Sequence, residues 1–595
     1  MRTADRLLTD RTSTSSEATR YGALAAAIAL LGLLFTLPEY FTSLPASPYT
    51  PWSVDALVIA TLIAASSTSR SPRTARVVGV AASLIYLLYA WYDALVYTAT
   101  YRNGIFYEDV QFVTNALYLI PELTTPDLLV PAILGVGAAA GMAAMIPYLI
   151  RAMQAGGTIP GGWALLFSLH LIAWPVVLWY APAEEWGTEH RTYREVREDY
   201  HLRTLTAKIH ANIDASLELR RFITTLDEEP LDSTYYDYAD LDLSASQPPL
   251  YWFLIESYGM VMTRHPELRE PFVHLVQELE RDLAAAGWHV ATTTGPAPIQ
   301  GGRSFLAHAT LLSGMHINRQ LLNSRLQRYR NYPFLVRTLQ EHGYQTVGLQ
   351  PPNRARPGLP LSDPYQFDTT LFYDDLGYEG PHYGWGRIPD QYSLYYTHEN
   401  VLPLDDPFFL FFAMADSHAL WRHGKSPFVR DWRLFNQAPD TTDQAARGWM
   451  LQQSRTDHND LLPRDVQQSF IFNQPPQMRY LRTVAHNFRL IRHYLTNDAP
   501  DDALVWILGD HQPPVFELED AEVPIHVLTR DPEKLEPFLE HGFERGLRPN
   551  PEAQTTWPLE GLYSLTMHAL ARYNDHPPEA VPLRPDGVSY RMMDP

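Results

Sequence analysis

Hydrophobic residues are distributed in two ways along this chain. Before residue 183 they form unbroken blocks, and beyond residue 249 they form short runs that alternate with longer stretches of helical spacing. The blocks run roughly from Tyr21 to Leu37, Val54 to Ala65, Val77 to Tyr97, Leu128 to Ile150 and Trp163 to Tyr180. Several approach the roughly 20 apolar residues with which a helix crosses a bilayer. The second is the shortest and breaks into Ser66, Ser67 and Thr68. The pattern therefore predicts a five-helix transmembrane domain over 1–182. A cleavable signal peptide does not fit, because a long polar tail precedes the first block and further blocks follow it.

The arginines orient these helices. Arg2, Arg6, Arg11 and Arg20 precede the first block, Arg70, Arg73 and Arg76 separate the second from the third, and Arg151 follows the fourth. The alternate loops carry Glu39, then Glu108, Asp109, Glu122 and Asp127 with one Arg102. By the positive-inside rule the amino terminus is cytoplasmic, and five crossings put the remainder of the chain outside. The charges alternate correctly only if the second block spans. Tyr101 to Ile120 is aromatic and amphipathic, as an interfacial helix would be. Residues 183–248 turn polar and read as a linker helix followed by an acidic, tyrosine-rich extended connection.

From residue 249 to 595 the periodicity predicts strands at Tyr251 to Ile255, His289 to Thr293, Gln345 to Leu349, Phe408 to Met414, Ala503 to Leu508 and Val523 to Leu528. Helices are predicted at Pro266 to Ala285, Phe334 to His342, Met478 to Leu495 and Leu562 to Tyr573. Alternation of this kind implies an α/β fold with a mostly parallel sheet, whose ligand groups gather at the carboxyl ends of the strands.

Composition narrows the function. A formal charge of -21 argues against a nucleic-acid partner, since phosphate backbones select basic surfaces. An acidic protein can still bind an anionic substrate where a metal supplies local positive charge. The absence of cysteine excludes disulfides, thiolate metal ligands and cysteine nucleophiles.

The strand ends carry the chemistry. The first predicted strand runs into Glu256, the strand at Ala503 into Gly509-Asp510-His511, and the strand at Phe408 into Asp416-Ser417-His418. Between them lies Gln300-Gly-Gly-Arg-Ser304, followed by an apolar helical stretch that ends at Gly314. Two glycines allow a tight turn, and a helix starting after them aims free N–H groups at an anion, so Ser304 sits where a phosphate or sulfate would be held. As an ordinary loop, the same stretch would use the serine as a helix cap. Glu256, Asp510, His511 and the Ser304 hydroxyl could share one divalent metal ion, and mostly oxygen ligands with one imidazole suit zinc or manganese. Coordination would stabilise the serine alkoxide, and His418, with Arg303, could bind the transferred group or protonate the leaving oxygen.

In their order along the chain, these motifs resemble the sulfatase-like branch of the alkaline phosphatase superfamily. Five spans followed by an external catalytic domain resemble the lipoteichoic acid synthases and phosphoethanolamine transferases in particular. The resemblance implies an alkaline-phosphatase-like α/β/α catalytic domain over 249–595. It also implies a phosphotransferase that takes phosphoglycerol or phosphoethanolamine from a phospholipid donor and passes it to an envelope glycan or lipid acceptor. Carried over by motif, Ser304 is the nucleophile, Glu256, Asp510 and His511 join it as metal ligands, and His418 binds substrate. Arg356, Asp390 and His526 are further candidates for substrate contact. A multi-pass protein of the inner membrane with an extracytoplasmic catalytic domain is expected. Conversion of Ser304 to formylglycine is not, because Phe305, Leu306, Ala307 and His308 break the sulfatase signature. Two alternatives stay open: a phosphate- or sulfate-ester hydrolase of the same superfamily, and an inactive envelope sensor or scaffold.

Overall fold

The computed structural model describes residues 27, 30, 31, 33–35, 72–100, 104–110, 140, 141, 143–151, 205–228, 236 and, with short gaps that include 355–363, residues 238–588. The chain divides into two compact units, Met1–Thr224 and Thr225–Pro595.

In the first unit, α1 (Pro72–Thr100) contains the third predicted span. Among the described residues it is the one helix long and apolar enough to cross a membrane, over Arg76–Val96. Leu87 and Ala90 of α1 bury themselves with Leu31, Phe35, Ile146 and Ile150, residues of the first and fourth predicted spans. Val77, Val78, Ile85, Leu88 and Leu95 are exposed, an apolar face of the kind that lipid covers. The predicted spans at Val54 to Ala65 and Trp163 to Tyr180 lie outside the described residues, as does most of the first. Of the predicted interfacial helix, residues 106–110 are helical. A second helix, α2 (Leu205–Glu228), corresponds to the carboxyl-terminal part of the predicted linker helix and continues into the segment expected to be extended. It is fastened within this unit by a buried Lys208–Asp93 ion pair of 2.7 Å and by Asn212, which accepts the Phe106 N–H at 2.7 Å.

The second unit is built on eight strands: β1 (Leu250–Ile255), β2 (His289–Pro296), β3 (Gln345–Leu349), β4 (Thr369–Leu371), β5 (Phe408–Ala413), β6 (Leu504–Gly509), β7 (Glu522–Thr529) and β8 (Glu544–Arg545). They form one sheet in the order β4-β3-β5-β1-β6-β7-β2-β8. The five strands from β4 to β6 are mutually parallel, and β7, β2 and β8 add antiparallel pairings at one side. The mostly parallel sheet expected from the sequence is thus present, with a mixed flank.

Six-residue runs such as Leu-Tyr-Trp-Phe-Leu-Ile and Phe-Phe-Leu-Phe-Phe-Ala are buried at every position, as central strands covered on both faces must be. Tyr251, Phe253, Phe408, Leu410, Phe412, Val505 and Ile507 point into one core with α3 (Pro266–Ala285) and α6 (Pro476–Asn497). The alternate residues Trp252, Phe409, Phe411 and Trp506 pack on the other face. There α4 (Ser304–Ser313) sets His308 edge-on to Phe411. Helix α5 (Asp390–Asn400), which has no apolar stripe to betray it, packs by Tyr392 into the first core, and α7 (Leu562–Tyr573) stacks Tyr563 on Tyr236.

β1 and β6 meet so closely at their carboxyl ends that Gly509 cannot be replaced. A Cβ there would lie 1.8 Å from the Tyr258 carbonyl oxygen. Gly509→Ala should destabilise the protein by about 3 kcal/mol, the upper range for overpacking against backbone. Urea unfolding midpoints of the two proteins measure it, and an unchanged midpoint would contradict this packing.

Candidate active site

Neighbouring parallel strands deliver their following residues to one edge of the sheet, so the register of β1 with β6, Ile255 opposite Gly509, brings Glu256 beside Asp510. Backbone strain sharpens the turn after β1. Ser257 takes a left-handed conformation at φ 60°, and its N–H donates to Asp510 Oδ1 at 2.7 Å. The His511 N–H donates to the same oxygen at 2.8 Å. Asp510 Oδ2 then faces His511 Nε2 at 3.7 Å.

The glycine loop closes over this pair. Gly301, Gly302 and Arg303 are all left-handed, with φ of 53°, 64° and 61°. The two glycines reach this region freely, whereas Arg303 accepts strain of about 1–2 kcal/mol there. The turn starts α4 at Ser304, whose side chain is not the helix cap. Its Oγ donates to Glu256 Oε2 at 2.7 Å and lies 3.1 Å from His511 Nε2. The side chain thus faces the carboxylates and does not cap the helix.

Gln512 couples the loop to the imidazole. Its carbonyl oxygen accepts from Gly301 N–H at 3.2 Å and from His511 Nδ1 at 2.8 Å. With Nδ1–H given to that carbonyl, Nε2 is turned toward Glu256 Oε1, 3.2 Å away, and Ser304. No sequence motif flags this role, because a main-chain oxygen performs it.

Glu256, Asp510 and His511 offer ligand atoms that all lie within 4.8 Å of one another. Ligands about 2.0–2.2 Å from a tetrahedral ion stand roughly 3.4 Å apart, and the separations of 2.7, 3.1, 3.2 and 3.7 Å bracket that value. The donor set therefore fits a divalent cation. The same groups also set one another's protonation. Burial would depress the His511 imidazole, yet Asp510 and Glu256 raise it to about 9. Burial and the Glu256 charge push Asp510 above the usual carboxylate range. Burial also works to raise Glu256, but His418, His511 and the Ser304 hydrogen bond outweigh it and hold Glu256 well below that range.

The remaining candidates divide. His418, half-buried, stacks flat on Trp385 with ring centroids 4.8 Å apart and planes at 10°. The preceding Ser417 donates its hydroxyl to the Glu256 carbonyl at 2.7 Å, which keeps this loop against the cluster. Asp390 is fully buried and accepts backbone N–H groups from Ala415 and Asp416, so it supports the His418 loop rather than offering a surface to substrate. Burial and the neighbouring Asp416 push its carboxyl up, while the N–H groups of Asp416, Ala415 and Asn487 work to keep it ionised. His526 is not brought to the cluster. It lies within β7 on the antiparallel flank, with Nε2 3.1 Å from Tyr258 Oη and Nδ1 2.8 Å from Thr292 Oγ1. Arg356 falls outside the described residues.

Two neighbours were missed. Trp385 is visible only through its stack on His418. His308 lies one helical turn beyond Ser304, a spacing that could have marked it, and burial lowers it to about 4.

His526 gives a pH test. Burial lowers its folded pKa to about 3, below the usual value near 6.5, so its stabilising contribution is complete above about pH 6.5 and is lost as pH falls toward 3. Within that window the wild type should lose about 1.4 kcal/mol per pH unit on this account. His526→Asn, which takes up no proton, should flatten the urea-midpoint profile between pH 7 and 5 by that slope, and parallel profiles would refute the assignment.

No protein-family model matches the sequence, and no curated protein matches it. Several solved structures are similar to it. The lipooligosaccharide phosphoethanolamine transferase A of Neisseria meningitidis aligns over 92% of this chain and 95% of its own, at 13% identity and a TM-score of 0.42. The lipoteichoic acid synthase LtaP of Listeria monocytogenes aligns over 59% and 78%, at 12% identity and a TM-score of 0.31. The phosphoglycerol transferase GacH of Streptococcus pyogenes aligns over 61% and 84%, at 10% identity and a TM-score of 0.32. The chain thus resembles lipoteichoic acid synthase and phosphoethanolamine transferase structures. At such identities function has to come from the site itself.

Proposed function

We propose that this protein is a membrane-bound, metal-dependent transferase. It moves a phosphoryl-linked head group, phosphoglycerol or phosphoethanolamine, from a phospholipid to an envelope glycan or lipid through a covalent intermediate on Ser304. The observation that carries the reading is the convergence of the Ser304 hydroxyl with two buried carboxylates and an imidazole from distant parts of the chain.

Glu256, Asp510, His511 and Ser304 would hold one zinc or manganese ion. Such an ion, when bound, favours the serine alkoxide and neutralises charge on a phosphoryl oxygen. The protein's own residues do the rest. Ser304 Oγ, its proton held toward Glu256 Oε2, attacks phosphorus. The phosphorus–oxygen bond to diacylglycerol breaks, and the departing oxygen takes a proton, for which the His418 imidazole is the candidate donor. An acceptor hydroxyl then gives its proton to the His418 imidazole and attacks the same phosphorus, the bond to Oγ breaks, and Ser304 takes back from Glu256 the proton it passed there. Free N–H groups at the start of α4 and the Arg303 guanidinium favour the anionic group in front of them. The apolar exposed face of α1 supports a bilayer location, and the arginine distribution supports an extracytoplasmic catalytic domain in the inner membrane.

The test uses the full chain in lipid bilayer discs with head-group-labelled phospholipid, with and without a glycan acceptor. Label on the acceptor supports transfer. Free head group alone would make the protein a hydrolase of the same class. No reaction and no bound divalent ion would leave a scaffold and end the proposal.

A further inference from the structure

We propose that Asp390 is a positioning residue, whose buried carboxylate holds the loop after β5 so that the His418 ring lies flat on Trp385 beside Glu256. The inference rests on the reading of His418 as a group that meets the transferred head group.

The carboxylate of Asp390 has no exposed surface. It takes the Ala415 N–H at 2.9 Å, the Asp416 N–H at 2.9 Å and the Asn487 Nδ2–H at 3.0 Å. In return the Asp390 N–H donates to Asp416 Oδ2 at 3.3 Å. Asp416 is itself braced, accepting the Ser426 hydroxyl at 3.0 Å and lying 3.5 Å from His486 Nε2. A reciprocal pair of this kind fixes the backbone at 415 and 416 relative to the start of α5, leaving little freedom to the next two residues. Ser417 is spent on the Glu256 carbonyl, and His418 Nδ1 is bound to the Ala419 carbonyl.

Asp390 also governs the other half of the stack. Only four residues separate it from Trp385, and within them Arg387 is left-handed at φ 60° and pairs back to Tyr383. One carboxylate therefore sets both partners of the Trp385–His418 stack: Trp385 through the short segment leading into α5, and His418 through two backbone N–H groups. A residue serving only to start a helix would need neither the bonds to β5's following loop nor complete burial. Asparagine at this position keeps the size, but it can turn only one oxygen toward donors that now occupy two, and its own N–H₂ meets N–H groups.

The experiment compares wild type, Asp390→Asn, His418→Gln and the double variant in the full-length protein in lipid discs. Asp390→Asn should lower kcat/KM for head-group transfer about 100-fold, the cost of a reacting group misplaced by about an ångström. It should keep the wild-type content of divalent metal. If Asp390 acts through His418, the double variant is no slower than His418→Gln alone. A second readout does not depend on activity. Carbethoxylation of His418 by diethyl pyrocarbonate, followed by peptide mass spectrometry, should speed up about fivefold or more in Asp390→Asn, with His289 unchanged as an exposed reference. Should Asp390→Asn fail to fold, Asn487→Ala removes one of the three donors and should give the same His418 change at smaller amplitude. Multiplying losses in the double variant, loss of metal in Asp390→Asn, or unchanged His418 modification would each overturn the proposal. If the wild type transfers no head group, the functional reading falls, and the modification arm still decides the role of Asp390.

Discussion

Ser304→Ala should abolish head-group transfer, with a loss of roughly 10⁴-fold or more, as for removal of a covalent nucleophile elsewhere. The Ser304 hydroxyl lies 2.7 Å from Glu256 and 3.1 Å from His511, at the head of a helix whose entry turn is three left-handed residues long. An alanine fits that turn, so the fold should survive and the thermal midpoint should stay within a few degrees. Incubation of wild type with phospholipid alone, followed by proteolysis and mass spectrometry, should find the added head-group mass on the peptide that contains Ser304. Another hydroxyl meets the same carboxylate: Ser257 Oγ donates to Glu256 Oε1 at 3.1 Å. An adduct on the Ser257 peptide would transfer the nucleophile to the end of β1 and sink the assignment.

Removal of the metal should have the second largest effect, on activity and stability together. Chelation should stop transfer, and zinc or manganese should restore it. A ligand at 100 times its dissociation constant stabilises the folded state by about 2.7 kcal/mol, and its removal should lower the thermal midpoint by about 5 °C. Asp510→Asn separates the charge from the fold. The Asp510 carboxyl is pushed up by burial and by Glu256, so without metal it must take up a proton as the protein folds, a cost that asparagine does not carry. The metal-free variant should therefore unfold at a higher temperature than the metal-free wild type, while binding metal at least about 100-fold more weakly. A metal-free variant less stable than metal-free wild type would show that Asp510 is needed chiefly to accept the Ser257 and His511 N–H groups.

These expectations draw on two kinds of information. The central strands were legible along the chain because each is a run of apolar residues buried on both faces. Gln345–Leu349 and the helices Pro266–Ala285 and Leu562–Tyr573 fall where the pattern puts them. β4 and β8, three and two residues long, are too short for any period to show, and α5 lacks an apolar stripe. Glu256, Asp510 and His511 were legible for a related reason: parallel strands bring their following residues to one edge whatever the loops between them do.

Side-chain partners follow no such rule. The family resemblance put Asp390 and His526 among the candidates for substrate contact. A helix start directly after Pro389 hid that Asp390 faces the backbone of residues 415 and 416, and the antiparallel run of β7 directs His526 to Tyr258 and Thr292. Periodicity and strand ends are properties of local chain geometry, so amino-acid order alone determines them. Which buried polar group answers which depends on contacts between residues far apart in the chain, and only the assembled sheet and its helices decide those.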